Sequence, residues 1–205
     1  MSGAVPRGAG NEPAPDVLED AVDIPGSARP RLLRSPAPTL ADKLRRAVWG
    51  AAWLLLYRPS PVPLHAWRRA LLRLFGARIG KGAHPYPSAW IWAPWNLVMG
   101  DRSCLAAGVD CYSAGPVVLG ADCVVSQRAY LCSAGHDFRD PGFPLLLGEI
   151  RVGEGAWVAT EAFIGPGVTI GRRAVVGARA VVTRSVPQAA IVAGNPSRVV
   201  GQREE

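Results

Sequence analysis

Several residue types are scarce in this chain, and each scarcity argues against a class of protein. Of 205 residues, only 3 are histidine, 4 cysteine and 2 methionine. The cysteines (Cys104, Cys111, Cys123 and Cys132) include no CxxC pair, so the spacing supports neither a zinc site nor a disulfide framework, and buried thiols are expected. Long apolar runs are missing too. The run from Ala47 to Tyr57 covers 11 residues and contains Gly50, whereas a membrane-spanning helix needs about 20. No basic stretch followed by an apolar one opens the chain, as it would in a secretory signal. The expected location is the cytoplasm, with the inner face of the membrane as a place of peripheral contact.

Acids are also outnumbered, 16 against 23 Lys and Arg, but the excess is local. Between Thr39 and Phe75 stand seven basic residues (Lys43, Arg45, Arg46, Arg58, Arg68, Arg69, Arg73) and one acid, Asp42. Such a patch suits an anionic surface or serves as a solvated helical face. Anionic lipid is the expected partner, and nucleic acid is not.

Glycine (23) and proline (19) are abundant, which argues against simple packed helices. Residues 1–38 are rich in Pro, Ala, Gly and Arg without a sustained apolar period, and read as a disordered tail. Residues 39–78 read as a helical segment. Thr39 and Asp42 form a helix-start signature. Leu40, Leu44, Ala47, Val48, Ala51, Leu54 and Leu55 follow at helical spacing. The stretch from Arg58 to Pro63 breaks that helix. A second carries Leu64, Trp67, Leu71, Leu74 and Phe75 on one side. Both apolar sides are expected to cap whatever follows.

From Ile79 onward a six-residue period takes over. Read from Val152, the chain divides into VGEGAW, VATEAF, IGPGVT, IGRRAV, VGARAV and VTRSVP. Each first position is Val or Ile, and each fifth is Ala or Val. The register extends upstream, since Ile79, Met99 and Leu119 are spaced by 20, or three sixes plus a two-residue corner. Such a period marks a solenoid of short strands and turns, a parallel β-helix of about five coils over residues 79–190. The first position should fill the core, the fifth should tolerate only small side chains, and glycine at the second should ease the bend. Cys111 falls at a first position and Cys123 at a fifth. The rhythm breaks between Leu131 and Val152, where 21 residues replace 6. This inserted loop, 133–151, contains His136. Residues 191–205 form a C-terminal tail.

Over residues 40–201 the chain resembles the hexapeptide acyltransferases, and within them the colanic acid biosynthesis O-acetyltransferases of exopolysaccharide pathways. The words carrying the resemblance are LLYRPSP from Leu55, RLFGARIGKG from Arg73, IWAPWNLVMGD from Ile91, SQRAYLCSAGHDF from Ser126, AWVATEAFIGPGVTIG from Ala156 and VAGNPSRVV from Val192. The resemblance implies a left-handed coil and a homotrimer. Acetyl-CoA, the acetyl donor, would lie in grooves between neighbouring subunits. It also implies that the inserted loop brings the catalytic His136 into a neighbour's groove, to take a proton from a sugar hydroxyl. Imidazole suits that task because it titrates near neutral pH, and an activated thioester needs no metal. By the same resemblance Trp157 stands beside the acetyl group. Thr160 and Ala178 contact the pantetheine arm, and Thr183, Arg184 and Arg198 lie near the nucleotide. Related sugar acetyltransferases hold the acceptor with an asparagine one coil above the histidine. Here that region reads LAAGVDCYSAG, and Asp110 and Tyr112 are the nearest polar replacements. Asp137 either orients His136 or shapes its turn.

The expected function is O-acetylation of a sugar hydroxyl in a polysaccharide or lipid-linked oligosaccharide precursor. A metal-dependent β-helix hydratase needs three converging histidines, and only His84 and His136 fall within the coils. A non-catalytic scaffold gains nothing from a histidine carried on a long excursion.

Overall fold

The six-residue period builds a three-sided prism in the computed structural model, which describes residues 32–204. Each hexapeptide supplies a two- or three-residue strand and a turn. Its strand hydrogen-bonds in parallel to the same side of the coils before and after. On the first face Ile79 pairs with Met99 and Met99 with Leu119; Leu119 then pairs with Val152 and Val152 with Ile170. The second face runs through Pro85, Leu105, Val125, Val158, Val176 and Val192. The third runs through Ile91, Cys111, Leu131, Ile164 and Val182. Five coils close fully. A partial sixth follows, made by Val186 bridging to Ile170 and by the strand Ala190–Ala193, so there are about six turns rather than the five expected.

These first-position side chains point inward and stack into one continuous core. Fifth-position residues such as Ala156, Ala162, Ala174 and Ala180 are buried beside them. Cys111 and Cys123 are buried free thiols, and burial pushes both up to about 12. Second-position glycine has a different cause from the one expected. A Cβ on Gly100 would stand 2.5 Å from the Ala121 nitrogen, and one on Gly171 2.4 Å from that of Gln188, so the next coil leaves no room for a side chain. Left-handed backbone at the bends is instead carried by residues such as Arg102, Asp122, Arg128 and Glu161.

The first coil would leave an unpaired strand edge, and the helical segment covers it. Helix α1, Leu40–Ala52, starts at Thr39 with the expected capping box, both Thr39 and Asp42 bonding reciprocally. It runs into a π-helical turn, Trp53–Tyr57; helix α2 spans His65–Leu74. The expected capping face of α1 is corrected here, and that of α2 holds at Leu71 and Phe75 only. Leu40, Leu44, Val48, Leu54, Leu55, Leu64 and Leu74 are exposed, whereas Trp49, Tyr57, Leu71 and Leu72 pack onto the coil. Polar donors decide this orientation, because the coil edge presents carbonyl oxygens that need partners. Trp49 Nε1 donates to Ile91 O at 2.6 Å and Trp53 Nε1 to Ala89 O at 3.0 Å. Arg68 Nε donates to Pro85 O at 2.7 Å, Arg69 to Ala83 O at 2.9 Å and Arg73 Nη2 to Ile79 O at 2.6 Å. Arg68 is fully buried. Much of the basic patch is thus an edge cap, facing the protein.

Of the expected disordered tail, residues 1–31 lie outside the described residues. Its remaining portion is structured, since Leu33–Arg34 forms a strand against the inserted loop. At the other end, Arg198–Gln202 folds back antiparallel onto Ala190–Ala193 and covers the last strand of the second face.

Candidate active site

The loop carrying His136 leaves the third face at a buried serine. Ser133 Oγ donates to Tyr112 O at 2.7 Å and accepts from Gly115 N at 2.8 Å, while Gly148 N donates to Ser133 O at 2.9 Å and closes the neck. The excursion ends earlier than expected, because Ile150–Val152 already belongs to the first face. Inside it, Ala134–His136 and Leu145–Leu147 pair antiparallel with His136 opposite Leu145.

His136 is exposed at the end of its strand, and one contact defines its chemistry. Nδ1 lies 2.9 Å from the carbonyl oxygen of Phe143. A carbonyl only accepts, so Nδ1 carries a proton and the neutral ring keeps its lone pair on Nε2. The Phe143 ring stacks on the imidazole, centroids 4.3 Å apart. Phe143 has φ +44°, a conformation few non-glycine residues adopt. Asp137 accepts from the Arg139 backbone N–H at 3.1 Å and so shapes the turn. The orienting group is Phe143, which sequence reasoning missed because a backbone carbonyl leaves no residue signature.

Asp110 and Tyr112 project from the third face one coil before His136. Tyr112 meets the edge of Trp92, centroids 5.2 Å apart. Asp110 is half-buried between Trp90 and Tyr130; its Oδ1 is buried and has no partner among the described residues, and burial raises its pKa. Next to them a cavity of about 260 Å³ is lined by Trp92, Trp95, Asn96, Ala114, Asp42, Arg46, residues 35–38 and, from the loop, Leu145 and Leu147. The word that begins at Ile91 supplies Trp92, Trp95 and Asn96, but the other walls come from separate stretches, so no single motif marks this cavity.

The remaining predicted residues fall on two different edges of the prism. Trp157 stands half-exposed on the second face, its Nε1 donating to Ser126 Oγ at 2.8 Å. Thr160 and Ala178 occupy the same corner one coil apart, beyond that face, with the Arg179 N–H donating to Thr160 O at 2.9 Å. Arg198 lies at the end of that corner, next to Ser197, whose N–H donates to Val181 O at 3.0 Å. Thr183 and Arg184 belong instead to the following corner, the one from which the His136 loop departs. Within one chain, His136 and Trp157 are therefore on separate elements of separate faces.

The bacterial transferase hexapeptide family (six repeats) matches residues 149–184. The "Putative colanic acid biosynthesis acetyltransferase WcaF" of Escherichia coli (strain K12) is 38% identical over 183 residues, which covers 89% of this chain and 98% of that protein. Galactoside O-acetyltransferase of the same strain is 27% identical over 141 residues, covering 65% of this chain and 67% of that one. Among solved structures, the hexapeptide-repeat acetyltransferase VCA0836 of Vibrio cholerae, complexed with acetyl coenzyme A, superposes with a TM-score of 0.73. It is 22% identical and spans 83% of this chain and 93% of its own, a likeness of fold. By its repeats, its solenoid and its near full-length match to one relative, this chain belongs to the hexapeptide-repeat acyltransferases, within the family of the colanic acid biosynthesis acetyltransferases.

Proposed function

We propose that this acyltransferase moves the acetyl group of acetyl-CoA onto a sugar hydroxyl of a polysaccharide or lipid-linked oligosaccharide precursor. The observation that carries the reading is the His136–Phe143 contact, which leaves Nε2 free to act as a base. As the hydroxyl oxygen attacks the thioester carbonyl, its proton passes to Nε2. The C–O bond forms, the C–S bond breaks, and the departing sulfur takes the proton back. A backbone N–H in the groove would stabilise charge on the thioester oxygen. The names of the relatives support a polysaccharide pathway and acetyl-CoA as donor.

The division of residues between two edges supports a homotrimer. A neighbouring copy would set its Trp157, Thr160, Ala178 and Arg198 against this chain's His136, Thr183 and Arg184, forming one groove from two subunits. Trp157 would then flank the acetyl group. Thr160 and Ala178 would run along the pantetheine, and the three outer residues would meet the nucleotide, where guanidinium groups suit phosphate. The aromatic cavity beside the loop is the acceptor site in this reading, with Trp92 offering an apolar ring face and Asn96, Asp42 and Arg46 offering polar contacts. Asp110 and Tyr112 extend it.

A lipid-linked acceptor would place the enzyme at a membrane surface. Among the described residues no helix is long and apolar enough to span one. The exposed stripe Leu40, Leu44, Val48 and Leu55 supports contact from one side, bordered by the exposed cations Lys43 and Arg58. Asp42, the single acid of that segment, is tied to Thr39.

The test is thiol release from acetyl-CoA by the purified protein with free and lipid-linked oligosaccharide repeat units. Release that depends on one of them, with acetyl recovered as an ester on its sugar, is the expected result. Release indifferent to every saccharide offered would count against the reading.

A further inference from the structure

The short strand Leu33–Arg34 lies far from the catalytic loop in sequence and directly against it in space. Leu33 pairs with Leu147 and Arg34 with Leu146, and the Ser35 N–H donates to Leu145 O at 2.8 Å. Leu145 is in turn the residue opposite His136. A continuous ladder therefore runs from this N-terminal arm, across one strand of the loop, to the histidine.

We infer that the arm, Leu32–Pro38, is a positioning element for His136. It supplies the third strand that holds the loop in one place and walls the cavity next to it. This rests on the reading of His136 as the base.

Three physical arguments support it. An isolated two-stranded hairpin is at best marginally stable in water, and a third strand changes that. The loop's own strands, three residues each, are shorter than most, so the additional ladder matters more here. Second, the arm is seated at both ends. Leu32 packs so closely on Gly148, at the loop's neck, that a Cβ there would come within 2.6 Å of Leu32 Cδ2. At its other end Pro36 and Pro38 lead straight into Thr39, the cap of α1, so the arm's path is restricted by fixed proline φ angles. Third, residues 35–38 line the cavity together with Leu145 and Leu147, so any shift of the arm moves the cavity wall and the loop together. The ion pair Arg34–Asp140, 3.4 Å apart and largely exposed, adds little. The backbone ladder is what carries the effect.

Displacement of a catalytic group by about 1 Å can lower a rate by about 100-fold. The experiment compares the full chain with three variants: one lacking residues 1–31, one lacking residues 1–37, and Ser35→Pro, which removes the N–H donated to Leu145. Turnover, KM for acetyl-CoA and amide hydrogen exchange across Gly135–Leu147 are measured for each. Removal of 1–37 and Ser35→Pro should lower turnover by about 10- to 100-fold, leave KM for acetyl-CoA within about twofold, and speed exchange in the loop. Removal of 1–31 should do none of these, and Leu33→Ile should behave as the full chain does. Unchanged loop exchange without the arm overturns the inference, as does faster exchange with unchanged turnover. Full activity in His136→Ala would instead overturn the catalytic reading beneath it, which keeps the two failures distinct.

Discussion

His136 lies face to face with Phe143, planes 8° from parallel, while the carbonyl oxygen of that same residue holds its Nδ1 proton. One residue thus sets both the tilt and the tautomer of the ring. His136→Ala should lower turnover by about 10²–10⁴-fold, the usual contribution of a general base, with the solenoid intact by circular dichroism. Phe143→Ala keeps the carbonyl and removes the stack, so its loss should be smaller, on the order of tenfold or less. Near-full turnover in His136→Ala would remove this histidine from the chemistry.

Ala180 is a fifth-position residue with no exposure, and its carbonyl accepts from Phe163 N at 2.8 Å. A larger side chain there must push the corner outward. Ala180→Phe should destabilise the fold by about 1–3 kcal/mol, read as a lower melting temperature. An unshifted melting curve would mean the corner can open without strain.

Asp110 has its pKa raised by burial. A carboxyl with a raised folded-state pKa favours the fold while protonated, and that contribution fades as pH climbs through the folded value. Above the ordinary carboxylate range the raised value therefore works against folding. Asp110→Asn should raise the melting temperature at pH 7, with the gain shrinking as pH falls through the raised folded-state value and gone once pH is below the ordinary carboxylate range. If the acceptor site includes Asp110, the same variant should raise KM for the acceptor. A gain in stability independent of pH would show that burial of the charge is not its cause.

Arg198 pairs with Ala193 at the far end of the corner that carries Thr160 and Ala178, two coils beyond Trp157. A phosphate contact there would be uniform binding, which affects KM rather than turnover. Arg198→Ala should therefore raise KM for acetyl-CoA more than it lowers turnover. An unaltered KM would place the nucleotide elsewhere.

For membrane contact, the inward use of Arg68, Arg69 and Arg73 changes the expected character of binding. Apolar insertion should dominate over charge, so co-sedimentation with anionic vesicles should survive moderate salt and be lost in a Leu44→Asp, Leu55→Asp double variant. Protein that stays in the supernatant with anionic vesicles at low salt would favour a soluble acceptor.

Reading the chain alone was enough to establish the solenoid, because each six-residue repeat states its own inward and outward positions and neighbouring coils merely repeat the statement. The buried thiols of Cys111 and Cys123, the Thr39 capping box and the placement of His136 in a loop outside the rhythm were legible for the same reason: each is a local pattern. That the helices cap the first coil was legible as well, but which side chains they turn inward was not. Most of their periodic leucines stay exposed, because an open strand edge demands hydrogen-bond donors, and Trp49, Trp53 and Arg68 supply them beside the buried Leu71. The pair Leu33–Arg34 reads as part of the tail because a two-residue strand has no period of its own, and only its pairing with Leu146 and Leu147 orders it. The tautomer of His136 was likewise decided by a backbone carbonyl seven residues on, and the cavity by four stretches that meet only in the fold. Periodic burial is written in sequence because it repeats, while satisfaction of single polar groups depends on which atoms the finished fold brings together.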